Sequence, residues 1–119
     1  MRQAFVHEAV VEMAYDGDIG APGAAVTVAL CGHWDHPSPC SAAPHHTDAV
    51  RTEQGVRLRI LFAADPDNEH PVRRRVEAAL ATGQLRGPDG TLTHWRLCAS
   101  RSDALTSSEL DHGERLTRS

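Results

Sequence analysis

The chain has 119 residues, 40% of them hydrophobic and 24% charged, with a formal net charge of −4 at pH 7. That length supports a single domain over residues 1–119, large enough to bury roughly two-thirds of its unfolded surface with no disulfide or metal to staple it. The acidic balance argues against a nucleic-acid partner, whose backbone is bound by cations that displace counterions, and no apolar run approaches the ~20 residues needed to span a bilayer.

All twelve basic residues are arginine, which with the many Ala and Gly reads as the codon usage of a GC-rich bacterial genome. Three cysteines cannot close into pairs, and Glu8 and Glu12 interrupt the apolar stretch that a signal peptide requires. The expected compartment is therefore a reducing cytoplasm, where grouped cysteine points to metal or redox chemistry.

In chain order, Phe5, His7, Ala9, Val11, Met13 and Tyr15 alternate with residues that include Glu8 and Glu12, the period-two pattern of a half-buried strand. His7 is the polar exception on the apolar side and is read as a hydrogen-bonded core residue. Asp16 to Gly23 is dense in turn formers, and Ala24 to Trp34 again looks strand-like, with Val26, Val28, Leu30 and Trp34 on one face. The two segments are expected to form a hairpin. Matching their apolar faces sets His7 opposite Gly32 and Glu8 opposite Cys31, beside the loop that follows.

Residues 35–54 read as a long functional loop, because structureless loops of that length are uncommon unless something orders them. Val56, Leu58, Ile60 and Phe62 against Arg57 and Arg59 give the cleanest strand pattern in the chain. The spacing of Val72, Val76, Ala79 and Leu80 predicts a helix from Pro71 to Thr82, ended by Gly83. Arg73, Arg74 and Arg75 are expected on its solvated side. Thr93, Trp95, Leu97 and Ala99 against His94, Arg96 and Cys98 predict a fourth strand, in which nothing nominates His94 or Cys98 as catalytic. Thr106 with Glu109 fits a capping box flanked by a Leu105–Leu110 staple, so 106–119 is expected to be a short C-terminal helix and tail.

Four of the eight histidines and two of the three cysteines fall between Cys31 and His46. Imidazole and thiolate are what borderline transition metals prefer, which makes His33, His36, Cys40, His45 and His46 the candidate metal ligands, with Cys31 the weakest further one. Pro37, Pro39 and Pro44 would stiffen the loop between them. Zinc is the leading ion for mixed nitrogen and sulfur donors, and copper or nickel the second choice.

The expected fold is α+β: a four-stranded, mainly antiparallel sheet with one or two helices on one face, in the order β-β-long loop-β-α-β-α. The expected function is a small metal-binding domain, structural or sensing. The alternatives are a metal-free protein interaction module whose sheet forms a homodimer, and, with less support, a zinc-dependent hydrolase using Asp35 or Glu8 as base. The sequence carries no H-E-x-x-H, phosphate-loop or G-x-S-x-G motif, so a non-enzymatic role is preferred.

Overall fold

The computed structural model describes residues 1–31, 43–53 and 55–118. Its elements are β1 (Gln3–Met13), α1 (Ala21–Cys31), β2 (His45–Arg51), β3 (Gly55–Ala64), a 3-10 turn at Pro66–Asn68, α2 (Glu69–Ala81), β4 (Gln84–Arg86), β5 (Leu92–Asp103) and α3 (Leu110–Thr117). The α+β class stands, but the sheet has five strands rather than four, in the order β2-β3-β1-β5-β4 with every pair antiparallel. Three helices pack on it rather than one or two. α1 joins β1 to β2 across the intervening β3, and α2 leads from β3 towards β5 across the intervening β1. These are two interleaved split β-α-β units, the ferredoxin-like connectivity.

The core lies on one face of the sheet. Ala9 and Val11 of β1 meet Val56, Leu58, Ile60 and Phe62 of β3, and all six are at most 1% exposed. Val26 and Leu30 of α1 and Val76 and Leu80 of α2 cover them. Each such side chain contributes about 1.5–3 kcal/mol of burial. The β3 and α2 patterns are thus as the sequence predicts, although the helix begins at Glu69, ahead of Pro71. Gly83, with φ of +73°, follows its end as a terminating glycine does. Trp95 fixes α2 to β5 by donating its indole N–H to the Leu80 carbonyl at 2.8 Å.

The first predicted hairpin is not formed, and residues from Ala24 to Cys31 belong to a helix instead of a strand. The segment from Ala21 has no charged side chain, so apolar residues recur at every period and alternation carries no information there. The alanines decide, as strong helix formers, and Pro22, Val26 and Leu30 make a fully buried stripe at i, i+4 and i+8. Asp18 opens the helix, its side chain accepting the Gly20 N–H at 2.8 Å and its carbonyl the Ala21 N–H at 3.0 Å, and Pro22 sits in the first turn, where a missing N–H costs nothing. In place of the hairpin, β1 lies between β3 and β5. His7 faces Ile60 and Ser102, and Glu8 faces Arg59 and Arg101, so both pair with β3 and β5. The predicted loop at 35–54 is also too long, since β2 lies within it.

Part of the second face of the sheet, around Glu8 and Arg59, is covered by α3, while Arg57 and Val50 on the same face stay exposed, and α3 does not join α1 and α2 as expected. It docks through Gly113, whose Cα would place a side chain 2.9 Å from Ala4 Cβ and 2.6 Å from Leu105 Cδ2. Leu105 therefore packs at Gly113, and the Leu105–Leu110 staple is absent, with Leu110 56% exposed. One arm of the capping box is present: Glu109 Oε1 accepts the Thr106 N–H at 2.9 Å.

The rest of that attachment is ionic. Arg59 projects from β3 with its side chain 18% exposed and spends all five of its N–H donors. It donates to Glu109 Oε2 at 2.8 Å and Oε1 at 2.9 Å, to Glu8 and Asp103 at 2.8 Å each, and to the Ala104 carbonyl at 3.1 Å. These bonds hold the Glu109 and Asp103 carboxyls down at about 2 and raise the guanidinium further above its ordinary value.

Arg59→Ala leaves three carboxylates facing one another and is expected to cost about 2–4 kcal/mol, read by chemical denaturation, with amide protection in Leu110–Thr117 lost before the global transition. Because the Glu109 carboxyl is depressed from 4.5 to about 2, its contribution is complete above pH 4.5 and disappears as pH falls towards 2. Protection of α3 that survives unchanged in Arg59→Ala would show that the ion network does not attach the helix.

Candidate functional site

Two places gather groups capable of chemistry or recognition. The first is His7, 3% exposed on the α2 side of β1, which the sequence reads as a satisfied core residue and which is one. Arg73 donates to His7 Nδ1 at 3.1 Å and to the Val6 carbonyl at 2.7 Å. A guanidinium only donates, so Nδ1 carries the lone pair and the neutral ring holds its proton on Nε2. That proton goes to Ser100 Oγ at 2.6 Å, and the Ser100 hydroxyl donates to Glu77 Oε2 at 3.0 Å.

The direction of this chain has a chemical consequence. A serine beside a histidine looks like a nucleophile and base, but here His7 presents a donor, not a lone pair, to the hydroxyl. Ser100 is not activated. Arg73 was expected on a solvated helix face with Arg74 and Arg75, yet its side chain is 13% exposed, pairs with Glu69 at 2.8 Å and lies over the rings of Phe5 and Phe62. Burial, followed by the Arg73 charge, lowers the His7 pKa, and Glu77 opposes them.

The second place is β2 and the segment before it. His33, His36 and Cys40 lie outside the described residues, as does the side chain of Cys31. His45 and His46 are described, and they do not converge. As neighbours on a strand they point to opposite faces of the sheet. His45, on the α1 side, donates from Nδ1 to the Ala43 carbonyl at 3.1 Å, and its Nε2 meets Thr27 Oγ1 at 3.1 Å. Burial first, then His46, lowers the His45 pKa, while the Ala43 bond raises it. His46, on the α3 side, donates to Asp48 Oδ1 at 3.1 Å and lies against His112 with the rings tilted by 47° and their centroids 4.4 Å apart.

These placements overturn the expected metal-binding function. Among the described residues no group of three or more His, Cys, Asp or Glu is arranged to hold a metal ion. Composition brought imidazoles close in sequence, and strand geometry sends the two described ones apart.

What the segment does build is a sheet edge. β2 pairs only with β3 among the described residues. The Ala63 N–H bonds to the Pro44 carbonyl and the Thr52 N–H to the Gly55 carbonyl, so in this antiparallel pair the even-numbered residues of β2 turn their backbone groups towards β3. His45, Thr47, Ala49 and Arg51 turn theirs outward. A groove of about 300 Å³ runs along this edge between β2 and the start of α1, lined by Gly20, Gly23 and Thr27 on one side and His45, Thr47 and Ala49 on the other. Gly23 lets the helix approach closely, since a Cβ there would lie 3.1 Å from Thr47 Cγ2. Arg51 closes the far end by donating to the carbonyls of Ala14, Tyr15 and Gly17 at 3.1–3.3 Å.

Sequence reasoning missed this edge because Thr47 to Arg51 looked like polar loop. The available signal was Thr47, Ala49 and Arg51 alternating with Asp48 and Val50. No protein-family model, curated protein or solved structure matches the chain, and no helix among the described residues is long and apolar enough to cross a membrane.

Both buried histidines bind their proton more weakly than the ordinary 6.5. The unfolded chain therefore holds more protons, and stability falls as pH drops below 6.5. Nitrogen-15 chemical shifts at neutral pH should report the Nε2–H form for His7 and the Nδ1–H form for His45; the reverse for His7 would break the donor chain described above. Thr47 Oγ1 is buried with no partner among the described residues, a cost of about 1–3 kcal/mol. Thr47→Val is expected to raise stability by about 1 kcal/mol, a shift of roughly 4 °C in melting temperature, and a loss of stability would mean that the hydroxyl is bonded.

Proposed function

We propose that this protein is an interaction module that accepts an extended segment as an added strand along β2. The observation that carries the reading is the pair of outward-facing backbone positions at Thr47 and Ala49 beside a groove flanked by α1. An open edge is a template for another strand, and strand addition supplies main-chain hydrogen bonds for affinity. The groove supplies selectivity, because an added strand presents alternate side chains to the α1 side.

A catalytic reading has less to stand on. The Ser100–His7 pair runs in the wrong direction for base catalysis, and Arg59, Glu8, Asp103 and Glu109 are committed to one another.

The test is selection of linear peptides from a random displayed library, followed by mapping the amide shifts that a selected peptide perturbs. Shifts should centre on His45–Arg51 and on residues 20–27. Ala49→Pro removes an outward N–H without touching the β3 ladder, a substitution that edge strands tolerate, and should weaken the peptide about tenfold, near the worth of one hydrogen bond. Shifts elsewhere, or affinity unchanged in Ala49→Pro, would overturn the reading.

A further inference from the structure

We infer that the contact between His7 and Arg73 is a pH-sensitive latch: a second proton on the His7 ring expels Arg73 and loosens the first turns of α2 from the sheet. The latch is independent of the reading of β2 as a docking edge.

A guanidinium can only donate, so the 3.1 Å bond from Arg73 Nη1 to His7 Nδ1 exists only while Nδ1 keeps its lone pair. A proton there sets two donors face to face, both of them positively charged. Turning the ring over offers Arg73 nothing, because both nitrogens of an imidazolium are donors. His7 itself is fixed, with Nε2 held 2.6 Å from Ser100 Oγ and its strand paired on both sides. Arg73, on a long side chain, is the member that moves.

Its departure undoes more than one bond. The same Nη1 donates to the Val6 carbonyl at 2.7 Å, Nε pairs with Glu69 at 2.8 Å, and the guanidinium lies over the rings of Phe5 and Phe62. Glu69 opens α2, so these contacts fasten the N-terminal half of the helix, and without them only the packing of Val72 holds it. The C-terminal half is fastened separately, by fully buried Val76 and Leu80 and by the Trp95 indole on the Leu80 carbonyl. One end of α2 is released while the other stays seated.

Both charges that act on the ring belong to α2. Arg73 opposes protonation and Glu77, reached through the Ser100 hydroxyl, favours it, while Glu69 meets Arg73 rather than the ring. β3 sets Ile60 beside His7, and β5 sets Ser100 and Ser102, none of them charged. Glu8, Arg59 and Arg101 are paired on the other face of the sheet. Burial and Arg73 outweigh Glu77, so the latch opens below the ordinary imidazole value of 6.5.

The experiment follows two signals on the full chain from about pH 7.5 down to 4.5, a range in which the Glu109 attachment of α3 stays complete. One is the His7 ring resonances; the other is amide exchange, corrected for its intrinsic dependence on pH. Below the His7 midpoint the amides of Arg73 to Val76, the first to bond within α2, should exchange at least about tenfold faster. Those of Ala79 to Ala81, β1 and β3 should hold. In Arg73→Gln an amide replaces the guanidinium and can present its N–H to a neutral ring or its oxygen to a charged one, so the step should vanish and the His7 midpoint rise. His7→Gln, which does not titrate, should also lose the step. No step in wild type at the His7 midpoint, or a step that survives in either variant, would overturn the latch. Loss of protection in β1 and β3 at the same pH would also overturn it, since that is global unfolding.

Discussion

Where helices cover a sheet, the polar side chains that its inner strands carry there have to be satisfied, and this sheet meets the requirement twice, once on each side. His7 on β1 faces α2 and is bonded through both ring nitrogens, while Arg59 on β3 faces α3 and fills all its donors. The two solutions fix the architecture around them. Arg73 has to leave solvent to reach Nδ1 of His7, which sets the rotation of α2. Glu109 has to reach Arg59, which sets where the chain turns into α3. Buried polar groups of this kind are costly if half-satisfied, so each network also commits its members. Residues that look like catalytic equipment in the sequence are structural in the fold.

The parts of this arrangement visible in the sequence are those where period and composition agree. β3 alternates cleanly and has arginine on the other side; α2 has its apolar stripe and its terminating glycine; β5 keeps its alternation from Thr93 to Leu97 and loses it at the register shift opposite Val10 and Val11. What escaped is equally physical. α1 has no polar side chain but Thr27 before Cys31, so a two-residue period fits it as easily as a helical one, and the decision rests on helix propensity and on tertiary cover. β2 is a strand with polar residues on both faces, and such strands are weakly specified by their own sequence. It exists because β3 offers it a ladder.

The candidate site was legible in the wrong terms. His45 and His46 do mark a place that matters in the fold, but adjacency in sequence is not convergence in space. Two neighbours on a strand cannot face the same ion, and recognising β2 would have turned the same two residues into one contact with α1 and one with α3. The pairing partner of β1 shows a similar dependence. A sequential hairpin would set His7 against Gly32, whereas long-range pairing with β3 and β5 puts it among the residues that satisfy it.

Comparing the two edges of the sheet shows why β2 is the one to watch. At the opposite edge β4 is three residues long, a length too short to template another strand, and Arg96 and Arg101 stand on the part of β5 beyond it. Short edge strands and cationic side chains are the usual protections against strand addition. β2 has seven residues, no proline and no bulge in its ladder with β3, and the one arginine it carries is drawn away to the carbonyls of the loop at 14–17. The side chains on its outward-bonding positions are an imidazole, a hydroxyl and a methyl. An edge that pairs on one side only, as β2 does among the described residues at Thr47 and Ala49, is a hazard in a chain that must stay alone and useful in a chain whose edge has a partner. The helix beside it carries no charged side chain from Ala21 to Cys31, so it too lacks the charges that usually discourage association.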